Sequence, residues 1–140
     1  YVLDGDNIRF GLSADLGFTP ADRTENIRRI GEVAKLFADA GVVVITAFIS
    51  PYRDDRNRVR TIAPDQFHEV FIKADLSTCE TRDPKGLYAK ARNGEIEDFT
   101  GVSAPYEEPT DANLIIDTGA QNIDQSVSKL LDYVSLNFKS

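Results

Sequence analysis

The 140-residue chain contains no methionine and no tryptophan, and only one cysteine (Cys79) and one histidine (His68). A single thiol excludes an internal disulfide and a cysteine-based zinc site. A single imidazole argues against a histidine metal cluster. Long apolar runs are also missing. None approaches the roughly 20 residues that a membrane span needs, and no signal peptide is visible. Positive charge is not in excess either: the net charge of −7 argues against a broad nucleic-acid-binding face. The arginines are unevenly placed, which leaves room for a local basic pocket. Internal repeats and low-complexity segments are absent. The expected setting is a reducing, cytoplasmic compartment.

What is present fits one globular domain: 41% hydrophobic and 28% charged residues in a length that can bury a sizeable core. Tyr1-Val2-Leu3 reads as the end of a buried strand, and residues 4–18 as a polar loop. Thr19 can cap a helix, Pro20 suits its first position, and Asp22 sits where a capping-box acid reaches back. Ile27, Ile30, Val33, Ala34 and Phe37 recur at helical spacing, which predicts a helix over 20–40. Residues 42–49 form a β-branched run that fits a strand covered on both faces. Ser50-Pro51 is placed to open the next helix, over 52–62, whose Arg53, Arg56, Arg58 and Arg60 read as a solvated face. A strand over 69–74 and a short helix over 76–82 follow. Residues 83–109 are polar, basic and proline-bearing, and read as a mobile lid. A strand over 113–117 precedes a last helix with the stripe Ile123, Val127, Leu130, Leu131 and Val134. This βαβαβ(lid)βα order predicts an α/β fold with a parallel sheet.

In such a sheet, ligands lie beyond the carboxyl ends of the strands. Polar residues cluster there: Asp4 and Asp6, Ser50, Asp75, and Asp117 with Thr118. The stretch Asp4-Gly5-Asp6-Asn7-Ile8-Arg9 sets two carboxylates, an amide and a guanidinium at the first strand end. A simple Asx turn is the competing reading. Arg23 and Asn26 share a helix face near a helix start, where anions are favoured. With Arg9 they suit an anion pocket, and as plain surface residues they need no explanation. Phe18 and Phe99 are aromatics in polar loops, suited to stacking on a flat base or to packing on the core. Lys85 and Arg92 lie where a lid closes over phosphates; for Arg92 an exposed loop is the better reading.

Six motifs in order carry a resemblance: Leu3-Asp4-Gly5-Asp6-Asn7-Ile8-Arg9; Asp15-Leu16-Gly17-Phe18; Arg23-Thr24-Glu25-Asn26-Ile27-Arg28-Arg29; Phe48-Ile49-Ser50-Pro51-Tyr52-Arg53; Asp83-Pro84-Lys85-Gly86-Leu87-Tyr88; and Phe99-Thr100-Gly101. End to end, the chain resembles the adenylylsulfate (APS) kinases, a P-loop kinase family. The resemblance implies a three-layer P-loop NTPase-like α/β fold, with helices on both faces of a parallel sheet and a lid. It implies ATP-dependent phosphorylation, with Mg²⁺, of the ribose 3′-hydroxyl of APS to give PAPS in sulfate assimilation. It assigns Asp6, Asn7, Ile8, Arg9, Phe18, Arg23, Asn26, Ile49, Ser50, Lys85, Leu87 and Phe99 to APS. Arg82 and Thr118-Gly119-Ala120 fall to the ATP adenine. Asp6 falls near the metal, through water, and near the attacking hydroxyl. Lys85 would neutralise charge, and Ser50 is the family's phosphoserine candidate. Direct in-line transfer, with Ser50 capping a helix and touching substrate, is the preferred mechanism. A homodimer and fusion to, or association with, ATP sulfurylase are also implied, with no nucleic-acid or membrane partner.

One departure stands against the family pattern: no glycine here belongs to a G-x-x-G-x-G-K-[ST] phosphate loop. The expectation is a single domain over 1–140 whose first strand, phosphate loop and first helix lie upstream of Tyr1. That strand is normally central, so runs 42–49 and 69–74 would each lack a partner on one side. A polypeptide starting at Tyr1 is then expected to fold poorly and fail with ATP, and about 25–35 upstream residues, one βα unit with its loop, to restore both. Two rival readings are another small-molecule P-loop kinase and a non-catalytic APS-binding module.

Overall fold

A computed structural model describes residues 1–138. The elements in chain order are β1 (Val2–Asp4), α1 (Gly5–Phe10), α2 (Pro20–Asp39), β2 (Ile45–Ala47), α3 (Arg53–Ile62), β3 (Val70–Lys73), α4 (Leu76–Arg82), α5 (Leu87–Arg92), β4 (Leu114–Asp117) and α6 (Ile123–Asn137). They fall into two compact units, Tyr1–Phe67 and His68–Ser140. All strand pairing is parallel, as expected, and joins β1 to β2 and β3 to β4.

In the first unit Val2, Leu3 and Asp4 lie opposite Ile45, Thr46 and Ala47. The stretch after β1 is not the loop that its Asp, Gly and Asn content suggests. Asp4 caps a short helix: its Oδ1 accepts from the Asn7 backbone N–H at 2.9 Å and its Oδ2 from the Asn7 side chain at 2.9 Å. This satisfies orphan donors of the first turn and turns Ile8 inward. At α2 the Asp22 N–H donates to Thr19 Oγ1 at 3.2 Å, and the Thr19 hydroxyl donates to Asp22 Oδ2 at 2.7 Å. The acid thus reaches the capping hydroxyl rather than closing the box on the backbone. Leu3, Ile8, Ile27 and Ile30 form the core, with Val33, Phe37, Val44, Phe48 and Val59 packed against them.

Two further sequence expectations fail in this unit. The run 42–49 is not covered on both faces: β2 is three residues long, and Ile45 and Ile49 are 49% and 60% exposed. Among the described residues β2 pairs on one side only, with β1. The arginines of α3 are also not uniformly solvated. Arg53 and Arg58 are exposed, whereas Arg56 is buried and donates from Nη1 to the Ser50 carbonyl at 2.7 Å. A buried guanidinium persists because it satisfies a carbonyl that the turn at Ser50 leaves out of any ladder.

In the second unit Val70, Phe71, Ile72 and Lys73 lie opposite Leu114, Ile115, Ile116 and Asp117. Phe71 and Ile116 are buried, and Tyr106 stacks on Phe71 at 6.2 Å. Asp75 caps α4, accepting from the Thr78 N–H at 2.7 Å. Asn122 and Gln125 close a full capping box on α6. The apolar stripe of α6 is only partly used: Ile123, Val127 and Leu131 remain largely exposed. Among the described residues no helix is long and apolar enough to cross a membrane.

Helices α2 and α3 meet at Gly31. A Cβ there would stand 2.9 and 3.1 Å from the two Val59 methyl groups and 3.3 Å from Ile62 Cδ1. Val59 is β-branched and has little rotamer freedom to yield. Overpacking of this kind costs about 1–3 kcal/mol, against about 1 kcal/mol gained in helix propensity on replacing glycine by alanine. Gly31→Ala is therefore expected to lower stability, and Gly31→Leu to lower it further, as read from denaturant midpoints. An alanine variant more stable than wild type would show that α3 yields freely.

Candidate functional site

Because β1 and β2 are parallel, with Asp4 opposite Ala47, the residues that follow them, Asp6–Arg9 and Phe48–Ser50, emerge at the same edge. This is where a parallel sheet places ligands. Asp6 and Asn7 are exposed on α1, and Arg9 is half-buried. The Ile8 side chain belongs to the core, so only its backbone can face a ligand.

The segment 11–19 returns from α1 to α2 without regular structure, and the carbonyls of Leu12, Leu16, Gly17 and Phe18 accept from arginine side chains. Arg9 Nη1 donates to Leu16 O at 3.2 Å and to Gly17 O at 2.8 Å. Arg23 Nε donates to Phe18 O at 2.9 Å. Both guanidiniums lie over the Phe18 ring, Arg9 at 4.2 Å and Arg23 at 5.7 Å from its centroid. Phe18 itself is 57% exposed. Burial, and then the like charge of Arg23, push the Arg9 pKa down from its ordinary value, while Asp22 opposes this. Two like charges facing one ring is an arrangement that an anion relieves. One turn along α2, Asn26 is 4% exposed and its buried Oδ1 has no hydrogen-bond partner. A buried acceptor of this kind invites a donor.

At the other strand end Ser50 has φ +43°, in the left-handed region that costs a non-glycine residue about 1–2 kcal/mol. It does not cap α3, contrary to the sequence expectation. Tyr52 is the N-cap residue, and no side chain caps that end. The positive φ turns the Ser50 carbonyl toward Arg56, so the serine is held by its backbone. Ile49, beside it, is exposed.

In the second unit the structure brings Arg82 and Thr118 together: Arg82 Nη1 donates to Thr118 Oγ1 at 2.9 Å, and Nη2 donates to the Thr118 carbonyl. The Thr118 hydroxyl in turn donates to Lys73 O at 3.1 Å. Asp117 Oδ1 accepts from the N–H groups of Gly119 and Ala120 at 3.0 and 3.2 Å, which fixes that turn. Asp83 organises the segment that bears Lys85 and Leu87. Its Oδ1 accepts from the Tyr88 N–H at 3.2 Å and its Oδ2 from the Ala89 N–H at 3.1 Å. Burial works to raise the Asp83 pKa, but bonds from the Ala89, Tyr88 and Leu87 amides outweigh it and the pKa is lowered. Asp83 thus caps α5 in place of Gly86, whose φ of +67° suits a residue without a side chain. Phe99 is half-buried and packs edge-on against Tyr88 at 5.0 Å. Burial, chiefly, pushes the Tyr88 hydroxyl up to about 12, with the contact to Cys79 adding to it. Arg92 pairs with Glu80 at 2.6 Å, in keeping with its reading as a surface residue.

Sequence reasoning missed Asp15, Glu25 and Arg29 as a group, although all three stood in the quoted motifs. Arg29 binds Asp15 through Nη1 at 2.6 Å and Nη2 at 2.9 Å, the Leu12 carbonyl at 2.9 Å, and Glu25 through Nε at 2.9 Å. The only advance signal was the 25/28/29 spacing of acid and bases on one helix face. Among the described residues no group of three or more His, Cys, Asp or Glu could hold a metal.

A protein-family model described as adenylylsulphate kinase matches residues 1–117. This chain belongs to the adenylylsulphate kinase family. It is 62% identical over 134 residues to the adenylyl-sulfate kinase of Bacillus licheniformis, covering 95% of the chain and 68% of that protein. It is 59% identical over 135 residues to that of Geotalea uraniireducens, covering 96% and 65%. The chain thus spans about two thirds of the length of these relatives. The structure of the Mycobacterium tuberculosis APS kinase CysC in complex with AMPPNP and APS matches with a TM-score of 0.90 and 48% identity, over 96% of this chain and 79% of that one. A hexameric APS kinase from Thiobacillus denitrificans matches with a TM-score of 0.69 and 31% identity, over 97% and 22%. The fold of this adenylylsulphate kinase family member is accordingly the α/β fold of P-loop NTPases.

The ion pairs of this family member set a pH limit. Hydrogen bonds from Arg28, then Arg29, lower the Glu25 carboxyl to about 2 from an ordinary 4.5. A carboxylate with a lowered folded pKa stabilises above its unfolded pKa and loses that contribution as pH falls through the folded one. The Glu25–arginine contribution is therefore expected to be complete above about pH 4.5 and lost toward pH 2. Side-chain carboxyl NMR shifts read this directly, and a Glu25 midpoint near 4.5 would contradict it.

Proposed function

We propose that the protein transfers the γ-phosphoryl group of ATP to the ribose 3′-hydroxyl of adenosine 5′-phosphosulfate. The observation that carries this reading is the Arg9–Phe18–Arg23 arrangement at the carboxyl edge of β1 and β2. It offers two guanidiniums for a doubly anionic phosphosulfate beside an exposed ring for a base. The relative in complex with AMPPNP and APS supports this pair of ligands.

In this reading Arg9, Arg23 and Asn26 hold the phosphosulfate and ribose, and the buried Asn26 Oδ1 accepts from a ligand hydroxyl. The base stacks on the exposed Phe18 ring, and the resemblance assigns Phe99 to the same nucleotide. Ile49 and Ser50 contact substrate at the strand end, together with Asn7 and the Ile8 backbone. The resemblance also assigns Lys85 and Leu87 to APS, and Arg82, Thr118, Gly119 and Ala120 to the ATP adenine. Asp6 orients the 3′-hydroxyl. As the new O3′–P bond forms and the bond from Pγ to the β-bridging oxygen breaks, the hydroxyl proton passes to Asp6 and the electron pair leaves on ADP. Asp6 would hold, through water, the Mg²⁺ that arrives with a triphosphate, an ion that needs only one or two protein carboxylates, and the ion would supply neutralisation of phosphate charge. Ser50 acts through its backbone position, so transfer is direct. Homodimer formation, association with ATP sulfurylase and a cytoplasmic location complete the reading and rest on the family resemblance.

The test is PAPS formation from APS and MgATP, followed by phosphorus NMR, with AMP as the alternative acceptor. Phosphorylation of AMP but not APS would overturn the assignment. Radiolabel from ATP retained on the protein, and lost with Ser50→Ala, would overturn direct transfer.

Three substitutions separate binding from chemistry. Arg9→Ala is expected to weaken APS about tenfold or more by calorimetry, since a charge-assisted contact contributes about 1.5–3 kcal/mol. Phe18→Ala is expected to weaken APS and spare ATP, at about 1–3 kcal/mol for one stacking ring. Asp6→Asn is expected to cut turnover by about 10²–10⁴ with APS affinity nearly kept. Unaltered turnover together with a lower melting temperature would make Asp6 purely structural.

A further inference from the structure

The segment 11–19 carries Phe18 and supplies the carbonyls on which Arg9 and Arg23 rest, yet it has no regular structure and mostly exposed side chains. Something outside the proposed binding residues has to fix it. Arg29, on α2, reaches it at two points, the Leu12 carbonyl and both Asp15 carboxylate oxygens. A fourth bond, from Nε to Glu25, locks the guanidinium to its own helix. Four hydrogen bonds thus leave one of its five donor hydrogens unassigned.

We infer that Arg29 and Asp15 form a clamp that sets the acceptor-nucleotide pocket by fixing the segment 11–19, without touching the nucleotide. An isolated exposed ion pair contributes little. This one is bidentate, joined to a backbone carbonyl and shared with a second carboxylate, so its geometry is over-determined. The hydrogen bond from Arg29 also holds the Asp15 carboxyl below its usual range. The consequence is specific. Arg9 and Arg23 take their orientation from carbonyls 16–18, so release of the segment moves both guanidiniums and the Phe18 ring together. The clamp is remote from the ATP-side residues Arg82 and Thr118 in sequence and belongs to the other unit. Arg29 and Asp15 act on the carbonyls that hold Arg9 and Arg23 and on the segment that bears Phe18, so both are positioning residues for the nucleotide that those three residues are proposed to bind.

This inference rests on the proposed function for its kinetic arm only. In the purified protein, Arg29→Ala and Asp15→Asn are each expected to raise KM for APS about ten- to a hundredfold, the scale of a misplaced binding group. KM for ATP and kcat should stay within about twofold. The double variant should be no worse than the poorer single one, because the two residues form one device. Arg29→Lys, which keeps the charge but not the fork, should recover only part of the loss. Amide hydrogen exchange over residues 11–18 should rise in Arg29→Ala and Asp15→Asn, with α2 protection unchanged. If Arg29→Ala fails to fold, Asp15→Asn, at an exposed carboxylate, carries the test. Wild-type exchange and wild-type KM for APS in either folded variant would overturn the clamp and leave the proposed function standing. A protein that forms no PAPS would remove the proposed function, and the exchange measurement would still decide whether the clamp exists.

Discussion

Backbone carbonyls that belong to no helix or strand must find donors elsewhere, and in the first unit arginines supply them. The carbonyls of Leu12, Leu16, Gly17 and Phe18 accept from Arg29, Arg9 and Arg23. Replacing a helix or strand by side-chain donors leaves the segment irregular in shape yet satisfied in its hydrogen bonds. That combination is what a binding loop requires, since irregular backbone presents Phe18 at the edge of the sheet while the arginines remove its freedom. The same guanidiniums then do two tasks. They hold the loop, and they present charge over the ring.

The second strand end follows the same logic at higher cost. Ser50 sits at positive φ, and its carbonyl is met by the buried Arg56. Strain of this kind persists only where the surroundings over-determine it. Here the opposing forces are a residue that would rather be extended and a buried guanidinium that donates to its carbonyl. The second unit uses carboxylates instead: Asp75 opens α4, Asp83 opens α5 and Asp117 closes the turn at Gly119. In each case an aspartate accepts the backbone N–H groups that a turning chain frees.

Much of this was legible in the sequence, for identifiable reasons. Helix α2 announces itself through Thr19-Pro20 and a long apolar period, and α4 falls on the expected 76–82 because Asp75 is a strong capping residue. The six-residue α1 was hidden, because its Asp-Gly-Asp-Asn composition is that of a turn and only Ile8 contributes a buried apolar position. The cap signal of Asp4 was there to be read. Residues 42–49 read as doubly covered because composition reports what a strand can bury, not how many neighbours pair with it. That Arg9 and Arg23 suit an anion was readable from residue type and position. Their attachment to carbonyls 16–18 was not, since side chain–backbone bonds leave no compositional trace. The Asp15–Arg29 pair, fourteen residues apart, was equally silent.

Arg29 and Arg9 end in opposite electrostatic conditions. Arg29 faces two carboxylates, so its charge is matched within a few ångströms. Arg9 bonds to two neutral carbonyls. The like-charged Arg23 adds to its field, and Asp22 and solvent oppose it. On a chain of net charge −7, this makes a positive spot within a negative envelope. At physiological salt, charge interactions reach about 8 Å. An approaching anion is thus repelled by the whole protein at low ionic strength and feels the arginine only near contact. Added salt first lifts the repulsion and later weakens the attraction, so capture of an anionic nucleotide passes through an optimum in ionic strength instead of falling steadily.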